Sequence, residues 1–333
     1  PGHWNDPDIL HIGHGAFDAA NPVEVRSHFS LWAMINAPLL ISYDLRNGPA
    51  SYLEVLGNAD VVGLNQDKAG HQGVVTYDSD DAQIIVKTLG SGERKAVALF
   101  NRGAAPAPVT LLASHLKLSG SAPVTLRDLW SKERSTFTGE KAFTLAPHET
   151  LVFEATGKRQ LEDGVYLSEI PGSINVAVDG TRHPQLDPTV HRMIDPWSST
   201  RSGGSRPQYA GWGGAQADTT PYGQSLQVAG QVFESGIGVL SNSRLQVKND
   251  AGYAELTASV GVDDSTENTR QPVRFYVYGD GKLLAESAPL AFGAKAPRLK
   301  ANIRGVKVVE LVVRGTKSDD ALPVVATWGD AQL

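Results

Sequence analysis

The chain of 333 residues contains no cysteine, which excludes disulfide bonds, thiolate chemistry and cysteine-ligated zinc. It has no run of about 18 consecutive apolar residues, so no segment reads as a membrane-spanning helix. Lys/Arg-rich runs are absent as well. With 30 basic against 36 acidic side chains, the formal net charge is −6, and a nucleic-acid partner is not expected. The start lacks both a Met and a charged-then-apolar leader; Pro1-Gly2 reads as the beginning of a fragment in preference to a processed terminus. The missing cysteines fit a bacterial secreted protein or a cytosolic one equally well. What is present is ordinary: 41% apolar and 20% charged residues, in a length that accommodates two or three domains at roughly 100–200 residues each.

Three regions follow one another. Over residues 1–69, loops, helices and short apolar runs alternate. Asn21-Pro22-Val23-Glu24 supplies a cap, a first-turn proline and an early acid, and predicts a helix carrying Val25, Phe29, Trp32 and Ile35 that stops before Pro38. Leu39–Ser42 reads as a short strand buried on both faces. A second helix is expected over about Ala50–Leu56, ending at Gly57-Asn58 with a left-handed cap. Two such βα units cannot bury both faces of a sheet, so on their own they are not a domain. From about Gly70 the pattern changes to period two, in runs such as Ala82–Lys87, Ala96–Phe100, Val124–Leu129 and Thr150–Phe153. An antiparallel β-sandwich over 70–156 is expected. Gly157–Gln160 reads as a linker. The last region, 164–333, passes through a Gly/Ser/Pro/Thr-rich stretch at about 195–225 and then becomes strand-rich again, as in a jelly-roll-like sandwich.

Candidate chemistry concentrates in Trp4-Asn5-Asp6-Pro7-Asp8, where two carboxylates, an amide and an indole occupy five residues. Proline stiffens the backbone and holds Asp6 to extended conformations. Such a loop offers acceptors to sugar hydroxyls and an apolar face to a pyranose ring. Taken without context, a helix-entry loop is the commoner use of an Asp-Pro-Asp turn. His11 and His14, three apart, read as loop polar groups, since no third metal ligand is nearby. His28, beside Phe29 and Trp32, reads as a core histidine.

Context raises the loop's standing. Gly2–Leu10, Glu24–Met34, Ala37–Ile41, Asp44-Leu45-Arg46 and Leu64–Asp67 together resemble glycoside hydrolase family 27, the α-galactosidase or melibiase family, in order and spacing. The resemblance implies the last two βα units of a (β/α)8 TIM barrel, with Trp4–Ile9 following the seventh strand at the barrel's C-terminal face. It implies that Asp8 contacts galactose hydroxyls and that Ile9, where the family has Met, keeps an apolar wall without the thioether. Asp6 and Trp4 complete the candidate substrate-binding set, with Asp6 orienting the loop. Asp44 and Arg46 follow the eighth strand, as loop supports or as a surface ion pair. The family's retaining mechanism uses two aspartates, a nucleophile and an acid/base; the resemblance places both upstream of Pro1, so no catalytic residue is expected in this chain. Asp6 and Asp8 are rejected for those roles because i and i+2 carboxylates flanking a proline diverge. The middle region matches the family's C-terminal antiparallel domain, with Asp128-Leu129-Trp130 as a packing motif.

Residues of the last region, including Tyr166–Glu169, Gly211-Trp212-Gly213, Phe233–Val239, Val260–Asp264, Phe275–Gly281 and Thr327–Ala331, resemble the NPCBM/NEW2 domain, related to carbohydrate-binding module family 51. Leu240 stands where that family has His, and Ala326-Thr327 replace a His-Asp pair. Trp212 and Trp328 are both candidate sugar-stacking platforms, with a buried sandwich position preferred for each; Trp212 is carried forward as the module's candidate sugar-binding residue. Asp263 and Asp264 are candidates for a structural calcium site, with a solvated turn as the alternative. No other cofactor is expected.

The expectation is therefore a fragment of a retaining α-galactosidase with an appended carbohydrate-binding module, secreted or periplasmic, acting on α-galactoside oligo- or polysaccharides. α-N-Acetylgalactosaminidase or β-L-arabinopyranosidase specificity stays open, as does a non-catalytic, carbohydrate-binding or structural role for the chain as it stands.

Overall fold

The computed structural model describes residues 6–90, 94–169, 175–178 (backbone), 215–221, 224–249, 251–266, 271–316 and 324–333. They fall into two units, Pro1–Glu162 and Asp163–Leu333.

In the first unit, Pro22 opens helix α1 (Pro22–Met34), as its fixed φ favours. Asn21 makes no side-chain cap bond; its Nδ2 instead donates to Asp18 Oδ1 at 2.8 Å. Helix α2 (Ala50–Leu56) has the expected bounds, but Gly57 has φ −89° rather than a left-handed value. The physical reason lies in Asn58. Its side chain accepts from the Asp60 and Val61 amides and starts a further helix, α3 (Ala59–Asn65), so the residue read as the end of one helix is the beginning of the next. Leu39–Ser42 also departs from expectation. It contributes only one parallel bridge, Leu10 to Ile41, and Leu40 and Ile41 are 53% and 44% exposed. Among the described residues there is no second neighbour to pair with it.

The strands are β1 (Val74–Asp78), β2 (Ala82–Leu89), β3 (Arg94–Asn101), β4 (Ala107–Leu112), β5 (Val124–Asp128), β6 (Arg134–Phe137), β7 (Glu140–Leu145) and β8 (Thr150–Gly157). They form a six-stranded sheet, β1-β2-β3-β8-β5-β6, and a two-stranded sheet, β4-β7, all antiparallel. Both faces of the larger sheet are buried. Ile84, Val86, Val97 and Leu99 pack with Val109, Leu111 and Leu145 in the sandwich core. On the opposite face Ile85, Leu89, Ala96, Ala98 and Val152 pack with Leu10, Ile12, Val25, Phe29, Met34 and Val61. The helices thus find in the sandwich sheet the core that two βα units alone do not possess. Fully burying each Leu, Ile, Val or Phe there is worth about 1.5–3 kcal/mol, and Phe29→Ala would cost about 3–5 kcal/mol.

Lys87 lies among Ile85 and Leu89 with 0% exposure. Its ammonium donates to Ala33 O at 3.4 Å and, more closely, to Asn36 Oδ1 and Leu64 O. These are C-terminal groups of α1 and α3, where carbonyls lack helical partners and a cation is favoured. The expected packing motif behaves as such. The Leu129 carbonyl accepts from Asn58 Nδ2 at 3.0 Å, and Trp130 Nε1 donates to Ser30 Oγ at 3.1 Å. Arg127 grips Asp60 with two hydrogen bonds of 2.9 and 3.0 Å. Gly157–Gln160 does not behave as a free linker: the Lys158 carbonyl accepts from Ser119 N at 2.8 Å and Gln160 N donates to Lys117 O at 2.9 Å.

The second unit contains β9 (Asn175–Val178), β10 (Gln216–Ala217), β11 (Leu226–Val228), β12 (Gln231–Phe233), β13 (Gly236–Leu240), β14 (Ser243–Lys248), β15 (Glu255–Val262), β16 (Val273–Gly279), β17 (Lys282–Glu286), β18 (Arg298–Asn302), β19 (Val308–Gly315) and β20 (Val325–Gln332). Sheets β10-β13-β20-β15-β18 and β17-β16-β19-β14-β9 share one core from alternate residues, among them Ile237, Val239, Leu245, Val260, Phe275, Leu311 and Trp328. The glycines of Gly236-Ile237-Gly238 have a steric reason. A Cβ on Gly238 would meet Thr219 O at 2.3 Å, and one on Gly236 would meet Trp328 O at 2.4 Å. Val165 and Leu333 exchange amide-to-carbonyl bonds of 3.1 and 3.0 Å, which ties the start of the unit to its end.

Candidate functional site

Asp6 serves its own loop: the Asp8 amide donates to Asp6 Oδ1 at 3.0 Å. This turn carries Asp8 to φ +74°, a left-handed conformation that Asp tolerates better than most residues yet that still costs on the order of 1 kcal/mol. Asp6, Pro7 and Asp8 are exposed and Ile9 is half-buried. With Asp6 engaged by the backbone, Asp8 is the loop's exposed acceptor. Trp4 lies outside the described residues.

Directly after Ile9 the chain is anchored. The Leu10 amide donates to Leu40 O at 2.8 Å, and the Ser42 hydroxyl donates to the Leu10 carbonyl. The His11 amide donates to His28 Nε2 at 3.0 Å. His28 is 6% exposed, with Phe17 and Trp32 rings against it at centroid separations of 4.4 and 4.0 Å. Burial, and secondarily the neighbouring His11, push its pKa down to about 4. At neutral pH the ring is therefore uncharged, with Nε2 bare to accept and the proton on Nδ1. Beyond it the chain passes through Gly13, φ +93°, where a Cβ would already touch the Tyr52 ring at 3.4 Å.

His11 and His14 are exposed, and His14 Nε2 lies 3.3 Å from Ser42 O. Among the described residues no three His, Cys, Asp or Glu side chains are grouped to hold a metal. Asp44 and Arg46 form an exposed two-pronged pair at 2.8 and 2.7 Å. Hydrogen bonding from Arg46 holds the Asp44 carboxyl below its ordinary range. The same carboxylate accepts from the Arg46 and Asn47 nitrogens, so the pair closes a turn. Sequence spacing could not show the His11–His28 bond, because it joins a loop amide to a helix residue 17 positions on. The clue available was a histidine set on the apolar face of α1.

In the second unit Trp212 lies outside the described residues. Trp328 is 0% exposed and meets Phe275 edge to face at 5.0 Å, so it is a core residue. Asp263 is also 0% exposed, which contradicts a solvated turn. Its Oδ2 accepts from Gln227 N at 2.9 Å and Thr327 Oγ1 at 2.6 Å, and its Oδ1 accepts from Ser265 N at 2.9 Å. Asp264 accepts from the Ala229 and Gly230 amides, both at 2.8 Å. These carboxylates fasten the β11–β12 hairpin to the end of β15. Their oxygens face N–H and O–H donors rather than an open oxygen cage, so the pair does not fit a calcium site.

Three family models match the chain in order. They are Alpha galactosidase A over residues 1–67, Alpha galactosidase C-terminal beta sandwich domain over 79–155 and NPCBM/NEW2 domain over 196–333. An Alpha-galactosidase of Oryza sativa subsp. japonica is 39% identical over 156 residues, 47% of this chain and 36% of that protein. Alpha-galactosidase 3 of Arabidopsis thaliana is 42% identical over 132 residues, 39% of this chain and 30% of that protein. The chain spans about a third of the length of the curated relatives it matches. Among solved structures, alpha-galactosidase I from Mortierella vinacea shares 25% identity with a TM-score of 0.44, over 47% of this chain and 41% of that one. A β-L-arabinopyranosidase from Geobacillus stearothermophilus shares 24% identity with a TM-score of 0.40, over 46% and 37%.

Proposed function

Since residues 1–67 and 79–155 belong to the alpha-galactosidase family and residues 196–333 to the NPCBM/NEW2 domain family, we propose that the chain is part of a retaining α-galactosidase. In this reading Asp8 and Ile9, with Trp4, form one wall of the pocket for a terminal α-galactose. Asp8 accepts sugar hydroxyls through its carboxylate, Asp6 sets the loop, and Ile9 supplies apolar contact. The nucleophile and the acid/base belong to the remainder of a complete (β/α)8 barrel, and the 333 residues alone turn over no glycoside. The second unit is a carbohydrate-binding module that holds the enzyme near polymeric substrate outside the cell, with Trp212 as its stacking residue.

The observation that carries this reading is the ordered pair of family matches on one compact unit, with Asp8 an exposed acid in a loop whose following residues, Leu10 and His11, are anchored. No helix among the described residues is long and apolar enough to cross a membrane. The test is a substrate panel on the full-length gene product. Turnover of nitrophenyl α-galactoside in preference to the α-N-acetylgalactosaminide and the β-L-arabinopyranoside supports the reading. Turnover of one of the latter with none of the galactoside overturns it.

A further inference from the structure

Away from the Asp8 loop, a cleft of about 540 Å³ opens between the start of α1, helix α2 and the turn that follows β5. A second cleft of about 480 Å³ adjoins it, and the two share Pro22, Arg26 and Trp130. They amount to one groove in two lobes with a single aromatic plate between them. The plate is held in place, since Trp130 Nε1 is fixed by Ser30 Oγ at 3.1 Å. The Arg26 guanidinium lies over the Trp130 ring, 5.6 Å from its centroid. One wall is already neutralised within itself: Lys132 Nζ donates to Asp60 Oδ2 at 2.7 Å and to Asn58 Oδ1 at 3.2 Å. Arg26 and Glu54, both exposed, have no hydrogen bond or ion pair to another described residue. They face the first lobe with free donors and free acceptors respectively.

We propose that this groove is a saccharide-binding site separate from the Asp8 loop, taking a neutral oligosaccharide. The volume lies in the range of small-molecule sites, roughly 300–1,000 Å³. A rigid indole, with Val25 and Val55 beside it, matches the apolar CH face of a pyranose. A guanidinium donates to, and a carboxylate accepts from, neighbouring hydroxyls through charge-assisted hydrogen bonds. An anion is disfavoured, because Asp18 and Glu54 line the same lobe as Arg26 and oppose a second negative charge. Binding there needs no turnover, so its failure would leave the proposed hydrolase function standing, and the converse holds too.

The test is hydrogen–deuterium exchange on the full chain, with and without melibiose or raffinose at tens of millimolar, and with inorganic phosphate as the anionic probe. The sugars should protect residues 18–26, 51–60 and 128–133. The double variant Arg26→Ala/Glu54→Ala keeps the packed side of Trp130 and should weaken that protection by about tenfold or more, leaving any protection in Asp163–Leu333 unchanged. The proposal is overturned if the sugars give no protection in those three segments, if the double variant is protected as the parent is, or if phosphate protects them and the sugars do not.

Discussion

Acidification should loosen the Asp8 loop through one residue, His28. Its folded pKa of about 4 against the ordinary 6.5 means that the unfolded chain binds the extra proton first as the pH falls. Between pH 6.5 and 4 the unfolded state therefore holds more protons than the folded state, and stability falls with falling pH. The contribution is fully present above pH 6.5. About 2 kcal/mol is lost by pH 5, and about 3 kcal/mol once the pH is well below 4. The structure gives the same sign by a separate route: protonated Nε2 can no longer accept the His11 amide, and a charged ring would sit between Phe17 and Trp32. His28→Gln supplies an acceptor that does not titrate. It should cost about 1–2 kcal/mol at pH 7 from lost ring packing, but flatten the pH dependence. The assay is hydrogen exchange of the His11 amide and of α1 amides between pH 7 and 4.5, corrected for intrinsic rates, in parent and variant. Equal pH slopes in the two proteins, or a His28 titration near 6.5 by NMR, would refute the reasoning.

Two further outcomes follow from buried polar groups. Burial pushes the Lys87 pKa down to about 8 from 10.5, so the unfolded chain holds the extra proton between those values and stability should rise over that window. Lys87→Met should remove that rise and cost about 1–3 kcal/mol at pH 7, because the Asn36 and Leu64 oxygens lose their donor; a thermal melt series from pH 7 to 10 decides it, and an unchanged rise in the variant counts against the assignment. Thr327→Val should cost about 1–3 kcal/mol in the second unit by stripping the buried Asp263 carboxylate of a 2.6 Å bond, read by urea denaturation. In the same experiment EDTA should leave the midpoint where it was, and a calcium-dependent increase would contradict the structural role given to Asp263.

Local rules carried much of the first unit. Pro22 at a first turn and the alternation in Ala82–Lys87 mark real elements, α1 and the strand Ala82–Leu89, since both signals act over a few residues. The misreadings share a cause: one local signal can serve two structures. Gly57-Asn58 ends a helix in many contexts, yet here Asn58 caps α3. Leu39–Ser42 has the composition of a buried strand, but burial depends on neighbours, and among the described residues the segment's one strand-type bridge is that of Ile41 to Leu10. The helix-facing side of β2 and β3 looks like ordinary sandwich interior until α1 is seen packed on it. The site shows the same division. Asp6-Pro7-Asp8 was legible as a loop of acceptors because proline and aspartate act locally. The anchors were not, because His11 to His28, Ser42 to Leu10 and Asp263 to Thr327 are contacts made only after folding.

The central claim is that Asp8 is a galactose-contacting acid in an α-galactosidase. It is tested most directly by steady-state kinetics of Asp8→Asn in the full-length gene product on nitrophenyl α-galactoside. Loss of charge-assisted bonds to sugar hydroxyls, about 1.5–3 kcal/mol, predicts a fall in kcat/KM of about 10- to 150-fold with the melting temperature little changed. A variant with unaltered kcat/KM would contradict the account.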